Sequence, residues 1–301
     1  MTYAVDEERP KSDRLAWMRR ASWDERVAFH DELAARKADA VQARIDLARD
    51  YLRRHPDPGA VPRATGVGVL DLREETRAAR EEAVRLAAVG VSTYNNGSLE
   101  FPVMAHEFAA DSPALRLGMA PEILAPIVGY LGMWPVLFNM FVTRAHQREI
   151  LENSPHRFHL DPEDVISFKA FVHLTDVDDD CGPFHALAAD STQTVLKALD
   201  YRGIARVEDK AVTDIVGWEP VTKFLGPPGT VALADTTRCL HFGGRPRAEG
   251  KPVRDMLVFQ YLLPTSPLLG VPGERKAQNF FPQLKPTGDA HWDALIGATL
   301  I

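Results

Sequence analysis

The sequence predicts an α+β protein whose C-terminal half is a β-sandwich or jelly roll. Two patterns predict it. Through about residue 90, apolar side chains recur at three- and four-residue spacing, the signature of amphipathic helices. From Val136 onward the chain turns to short alternating segments rich in β-branched and aromatic residues, separated by turn-forming clusters. Helices first and many short strands later is the α+β pattern. Residues 1–60 read as a helical N-terminal extension, and 61–301 as the main domain with flanking helices.

Asp13 to Arg54 reads as helix, with Val27, Leu33, Val41, Ile45, Leu47 and Leu52 on the apolar stripe. Ser22 followed by Glu25 forms a capping-box pattern, so two helices are expected rather than one. "HPDPGAVPRATG" then breaks the periodicity. "REETRAAREEAVRLAAVG" is a further helix ending at a C-cap, Gly90. "VSTYNNGSLEFPVMAHEF" reads as a hairpin turning at Asn96-Gly97. Ile123 to Val142 carries no charge and is long enough to span a bilayer. Pro126, Pro135 and three further helix-weakening residues argue instead for a buried helix over about 121–131, a turn through "GMWP" and a buried strand from Val136. "ISFKAFVHLTDV", "TVALAD", "RCLHFGG" and "RDMLVFQYLL" are the later strand candidates, and 201–226 reads as a loop-like insertion.

Composition bounds the function. With 301 residues and 45% hydrophobic content the chain can bury a sizeable core. A formal net charge of −7 argues against a general nucleic-acid binder, which needs a basic excess. Two cysteines, Cys181 and Cys239, make no disulfide framework, and the charged N-terminus lacks the apolar core of a signal peptide. A cytoplasmic protein acting on a small molecule is the expectation, with no membrane partner; oligomeric state is not legible.

The segment "SPHRFHLDPED", Ser154 to Asp164, concentrates metal-liking side chains. In an extended strand alternate residues share a side, so His159 and Asp161 project together, Leu160 turns away and Pro162 ends the strand. His241, at the end of the apolar run in "DTTRCLHFGGRPR", adds a third ligand from a second strand. Two histidines and a carboxylate can occupy one face of an octahedral iron and leave the opposite face for substrates and dioxygen. Cys239, two residues before His241, keeps a zinc site open as an alternative. Arg254 lies on the strand expected after His241, and its guanidinium can hold a carboxylate by two parallel hydrogen bonds. Taken alone Arg254 reads as a surface ion pair; beside an open-faced iron it provides the layout 2-oxoglutarate requires.

"HRFHLDPED", "FVHLTDVDDDCGPF", "DTTRCLHFGGRP" and "RDMLVFQY", in that order, resemble the phytanoyl-CoA dioxygenase family of iron(II)- and 2-oxoglutarate-dependent oxygenases. The likeness runs from roughly Leu115 to Leu263. It implies a double-stranded β-helix, a cupin-type jelly roll flanked by helices. It assigns His159, Asp161 and His241 to the metal and to catalysis, and Arg254 to the cosubstrate carboxylate. Phe171 falls where the family places an aromatic lining the cosubstrate pocket. The implied activity is a dioxygenase using iron(II), 2-oxoglutarate and O2, with hydroxylation as the default outcome and succinate and CO2 as coproducts. Asp161 argues against the related halogenases, which lack that carboxylate. The sequence departs from the family at "HALAADST", where a Pro-Gly-Ser-His run is usual, and the interval from His241 to Arg254 is slightly long, so Arg245 and Arg247 are fallbacks for the cosubstrate.

Lys169 and His173 share the side of Phe171. Lys169 is expected to hold an anionic substrate group or a cosubstrate oxygen, or else to reach solvent; His173 reads first as a hydrogen-bonded core histidine. His156, of opposite parity, is expected on the surface, Arg144 and His146 in an exposed loop or at the entrance, and Trp218 and Phe224 in a lid. Two other classes stay open: a jelly-roll metalloprotein, such as a cupin-like isomerase, that does not use 2-oxoglutarate, and a binding protein that has lost turnover.

Overall fold

Two antiparallel sheets face each other, and helices cover the outer face of the larger one. The computed structural model describes residues 17, 20–90, 99–145, 156–161, 164–202, 205–245, 254–266, 269 and 281–298. In chain order the elements are α1 (Trp23–Arg36), α2 (Ala38–Arg54), β1 (Val67–Asp71), α3 (Arg77–Val89), β2 (Leu99–Met104), α4 (Pro113–Leu117), α5 (Pro121–Leu131), β3 (Val136–Ala145), β4 (Ser167–His173), β5 (Phe184–Leu187), α6 (Ala189–Ala198), α7 (Asp209–Val216), β6 (Val221–Phe224), β7 (Thr230–Asp235), β8 (His241–Phe242), β9 (Arg254–Leu262) and α8 (Ala290–Leu295). The larger sheet runs β1-β7-β4-β9-β3-β2 and the smaller β6-β5-β8. Isolated bridges Phe158–Val207 and His159–His241 extend the smaller sheet past β8.

The capping box at Ser22 is present in both directions: the Ser22 backbone N–H donates to Glu25 Oε2 at 2.7 Å, and the Ser22 hydroxyl accepts from the Glu25 N–H at 3.2 Å. α3 ends at Gly90, which has extended backbone angles (φ −66°, ψ 135°). Glycine is needed there for space, because a Cβ would lie 2.1 Å from the Pro102 carbonyl oxygen. The uncharged run Ile123–Val142 divides as its prolines and glycines predict. α5 stops where Gly132 takes the left-handed conformation (φ +68°), and β3 begins at Val136. Both pieces lie in the core, which accounts for the missing charge, and among the described residues no helix is long and apolar enough to cross a membrane. The proposed Asn96-Gly97 turn lies outside the described residues.

Three segments differ from expectation. β1 was not legible, because "VGVLD" is short and begins after a proline- and glycine-rich stretch. "HALAADST" contains all of β5 but its first residue, Phe184, and the start of α6. The loop-like insertion contains α7 and β6; α7 buries Val212 with Val195, while Ile215 and Val216 pack against the same cluster.

Strand alternation sorts the side chains that matter. On β4, Phe168, Ala170 and Val172 join the helix-covered core. Lys169, Phe171 and His173 therefore point toward the smaller sheet. On β9, Leu257, Phe259 and Tyr261 face the helices; Met256 and Val258 face inward, with Arg254 in phase with them. Ala232 and Ala234 of β7, with Phe184, Ala186 and Phe224 of the smaller sheet, complete this inner layer.

Candidate metal centre

The segment 156–161 enters the smaller sheet beside β8. Phe158 and Leu160 pack outward with Val207, Leu240 and Phe242, which turns His159 and Asp161 inward. His159 N–H donates to the His241 carbonyl at 2.9 Å, and His241 N–H returns the bond to the His159 carbonyl at 3.0 Å. This reciprocal pair holds the two imidazoles side by side, ring centroids 4.3 Å apart. Asp161 N–H donates to the Thr236 carbonyl at 2.9 Å, so backbone bonds anchor all three residues. One ligand atom from each of His159, Asp161 and His241 lies within 4.8 Å of the others, and all three residues are buried. Asp161 Oδ1 is 3.7 Å from His241 Nε2.

Both rings have the tautomer a metal needs. His159 Nδ1 contacts the Arg157 carbonyl at 2.8 Å and His241 Nδ1 the Cys239 carbonyl at 3.0 Å. A carbonyl only accepts, so Nδ1 carries the proton and Nε2 keeps its lone pair. Burial pushes the pKa of His159 well below the usual value, with His241 and Arg206 adding to the effect; burial likewise lowers that of His241. Burial opposes ionisation of Asp161, but the Lys169 ammonium beside it holds its carboxyl well below the ordinary range. Two neutral imidazoles and a carboxylate result.

Lys169 turns inward rather than out to solvent: its ammonium donates to Asp161 Oδ2 at 2.6 Å. Phe171 stacks on Phe184, centroids 4.5 Å apart and planes at 29°. Arg254 is 2% exposed and donates from Nη1 to the Gly182 carbonyl at 2.7 Å; burial lowers its pKa to about 10. Across the Phe158–Val207 bridge, antiparallel pairing sets Arg206 opposite His159, a neighbour not singled out from the sequence.

Several candidates lie elsewhere. Cys239 is fully buried against Thr65, donating to its carbonyl at 3.3 Å, and burial keeps its thiol protonated. It is not in the ligand group, which removes the thiolate that a zinc site would use. Arg245 holds Asp209 through two hydrogen bonds and lies over the Phe242 ring at 4.1 Å. Arg247 and His146 lie outside the described residues. Arg144 pairs in bidentate fashion with Asp255, in phase with the helix-facing residues of β9. His156 is buried, its Nδ1 3.2 Å from the Gly243 carbonyl; it sits in a turn, where strand parity does not apply. Phe224 belongs to the layer between the sheets and is no lid, whereas Trp218 is 50% exposed.

No family model matches the sequence, and no curated protein does. Solved structures match by fold. EctD from S. alaskensis, in its apoform, superposes with a TM-score of 0.50 at 15% identity, over 71% of this chain and 81% of that one, which shows a shared fold. The epimerase SnoN, in complex with Fe3+, alpha ketoglutarate and nogalamycin RO, gives 0.47 at 16% identity over 72% and 86%. HygX from Streptomyces hygroscopicus, with nickel and 2-oxoglutarate bound, gives 0.43 at 17% identity over 66% and 84%.

Proposed function

We propose that the chain is an iron(II)- and 2-oxoglutarate-dependent dioxygenase of the phytanoyl-CoA dioxygenase type, hydroxylating a small molecule. The observation that carries this reading is the buried group of two Nε2 lone pairs and one carboxylate within 4.8 Å, facing the same interior as Arg254. Two histidines and one carboxylate suit a non-haem iron that keeps positions open. The winding supports a double-stranded β-helix: from β3 to β9 the chain passes repeatedly between two facing antiparallel sheets, with 158–159, β5, β6 and β8 in the smaller and β3, β4, β7 and β9 in the larger.

The residues fit the metal and its cosubstrate. His159, Asp161 and His241 would hold iron(II), with Asp161 presenting Oδ1 while Lys169 keeps Oδ2. Arg254 would take the far carboxylate of 2-oxoglutarate, and the Phe171–Phe184 stack would exclude water between the two ends. Lys169 holds Asp161, while Arg206 acts on the two histidines and Arg254 on His173; these three cations against one carboxylate make a charge balance that favours a dianionic cosubstrate. Bound there, iron(II) with 2-oxoglutarate and dioxygen would supply the oxidising power, with succinate and CO2 as coproducts.

Anaerobic titration of the iron(II)-loaded protein with 2-oxoglutarate tests the reading through the weak visible charge-transfer band of the chelate. A band is expected in the unaltered protein, with weaker binding in Arg254→Ala. Demonstrated iron without a band would remove the cosubstrate. An equal band in Arg254→Ala would remove that arginine's role.

A further inference from the structure

His173 is the third inward residue of β4 and is fully buried, yet neither ring nitrogen makes a well-formed hydrogen bond; the Gly226 backbone is only a weak polar neighbour. On the neighbouring strand it pairs with Met256, two residues from Arg254 on the same inner face. Arg254 is itself buried; Nη1 is satisfied by Gly182, and Nε is without a partner. Leaving a buried polar group unpaired costs stability, so native proteins rarely do it without a reason. Here two adjacent donors have spare capacity at the same end of one interior. An apolar side chain would fill the position of His173 at lower cost, which makes a packing role a poor explanation for an imidazole.

We propose that His173 stands beside Arg254 as a second anchor for the distal carboxylate of a 2-oxo dicarboxylic acid. The inference rests on the reading above. A carboxylate accepts only, and a neutral imidazole has one N–H to give it. Burial, reinforced by the Arg254 charge, lowers the His173 pKa to about 4 against the opposing contact with the Gly226 backbone; at neutral pH the ring is therefore an uncharged donor.

The experiment compares two five-carbon acids, 2-oxoglutarate and 2-oxopentanoate, which lacks the distal carboxylate. Each is titrated anaerobically into the iron(II)-loaded protein and into His173→Phe and His173→Asn, with thermal unfolding of each metal-free protein alongside. His173→Phe should weaken 2-oxoglutarate on the order of tenfold, the size expected for one hydrogen bond to a charged group. It should leave 2-oxopentanoate unchanged and unfold no earlier than the unaltered protein, because it removes a buried imidazole that lacks a well-formed hydrogen bond. His173→Asn, which keeps a donor, should recover part of the affinity. Unchanged 2-oxoglutarate binding in His173→Phe, parallel loss of both acids, or a His173→Phe chain that fails to fold would each overturn the inference. If the unaltered protein binds both acids equally, no distal seat exists, although 2-oxo acid chemistry survives. If it binds iron but neither acid, the underlying reading fails as well.

Discussion

Lys169 shows what residue-scale geometry adds to a motif. Sequence parity put it on the inner side with Phe171, but its partner, Asp161, becomes apparent only in three dimensions. Such outer partners hold a ligand's orientation and typically contribute ten- to a hundredfold to metal affinity. We predict that Lys169→Met weakens iron(II) binding on the order of tenfold or more, measured by competition with a chelator. Asp235 was not legible at all, since nothing in "TVALAD" marks its aspartate as buried. It accepts from Tyr130 at 2.9 Å and Thr237 at 2.8 Å, yet burial outweighs these bonds and raises its pKa to about 6. A carboxyl whose folded pKa exceeds its unfolded value of 3.8 is bound to its proton more tightly in the native state, so stability from this group is greatest below about pH 4 and falls as pH rises through 6. Asp235→Asn carries no such dependence. Its stability relative to the unaltered protein should therefore increase between pH 4 and 7 by roughly 2–3 kcal/mol, read by urea unfolding at each pH.

At the scale of elements, the strongly patterned segments were legible and the short ones were not. The capping box, α5 and β3 follow from local rules that need no tertiary partner. β1, α6 and α7 were missed because their short sequences, of 5, 10 and 8 residues, rely on docking rather than on periodicity. The capping box makes a modest prediction: Ser22→Ala should lower stability by about 1 kcal/mol, seen as a lower unfolding midpoint. The turn at Gly182 and the chain after β8 make a severe one. A Cβ on Gly244 would lie 1.3 Å from the Gly182 carbonyl oxygen, the same oxygen that accepts from Arg254. Backbone cannot yield there as a flexible side chain would. Gly244→Ala should cost roughly 3 kcal/mol or more in urea unfolding and weaken 2-oxoglutarate binding at the same time.

For the whole molecule, the functional reading depends on two distant stretches meeting. His159 and Asp161 precede β4, His241 follows β7, and the reciprocal backbone bonds between 159 and 241 bring them together. Sequence could name these residues because each sits beside a recognisable turn or strand end. It could not show which imidazole nitrogen faces the ligand group, since that depends on the Arg157 and Cys239 carbonyls. The most direct test is equilibrium binding of iron(II) under anaerobic conditions to the unaltered protein, Asp161→Ala and His241→Ala. We predict saturation at a single iron per chain in the unaltered protein and no iron retained by either variant after desalting. An unaltered protein that binds no iron, or a His241→Ala variant that retains it fully, would contradict a centre built from these three side chains.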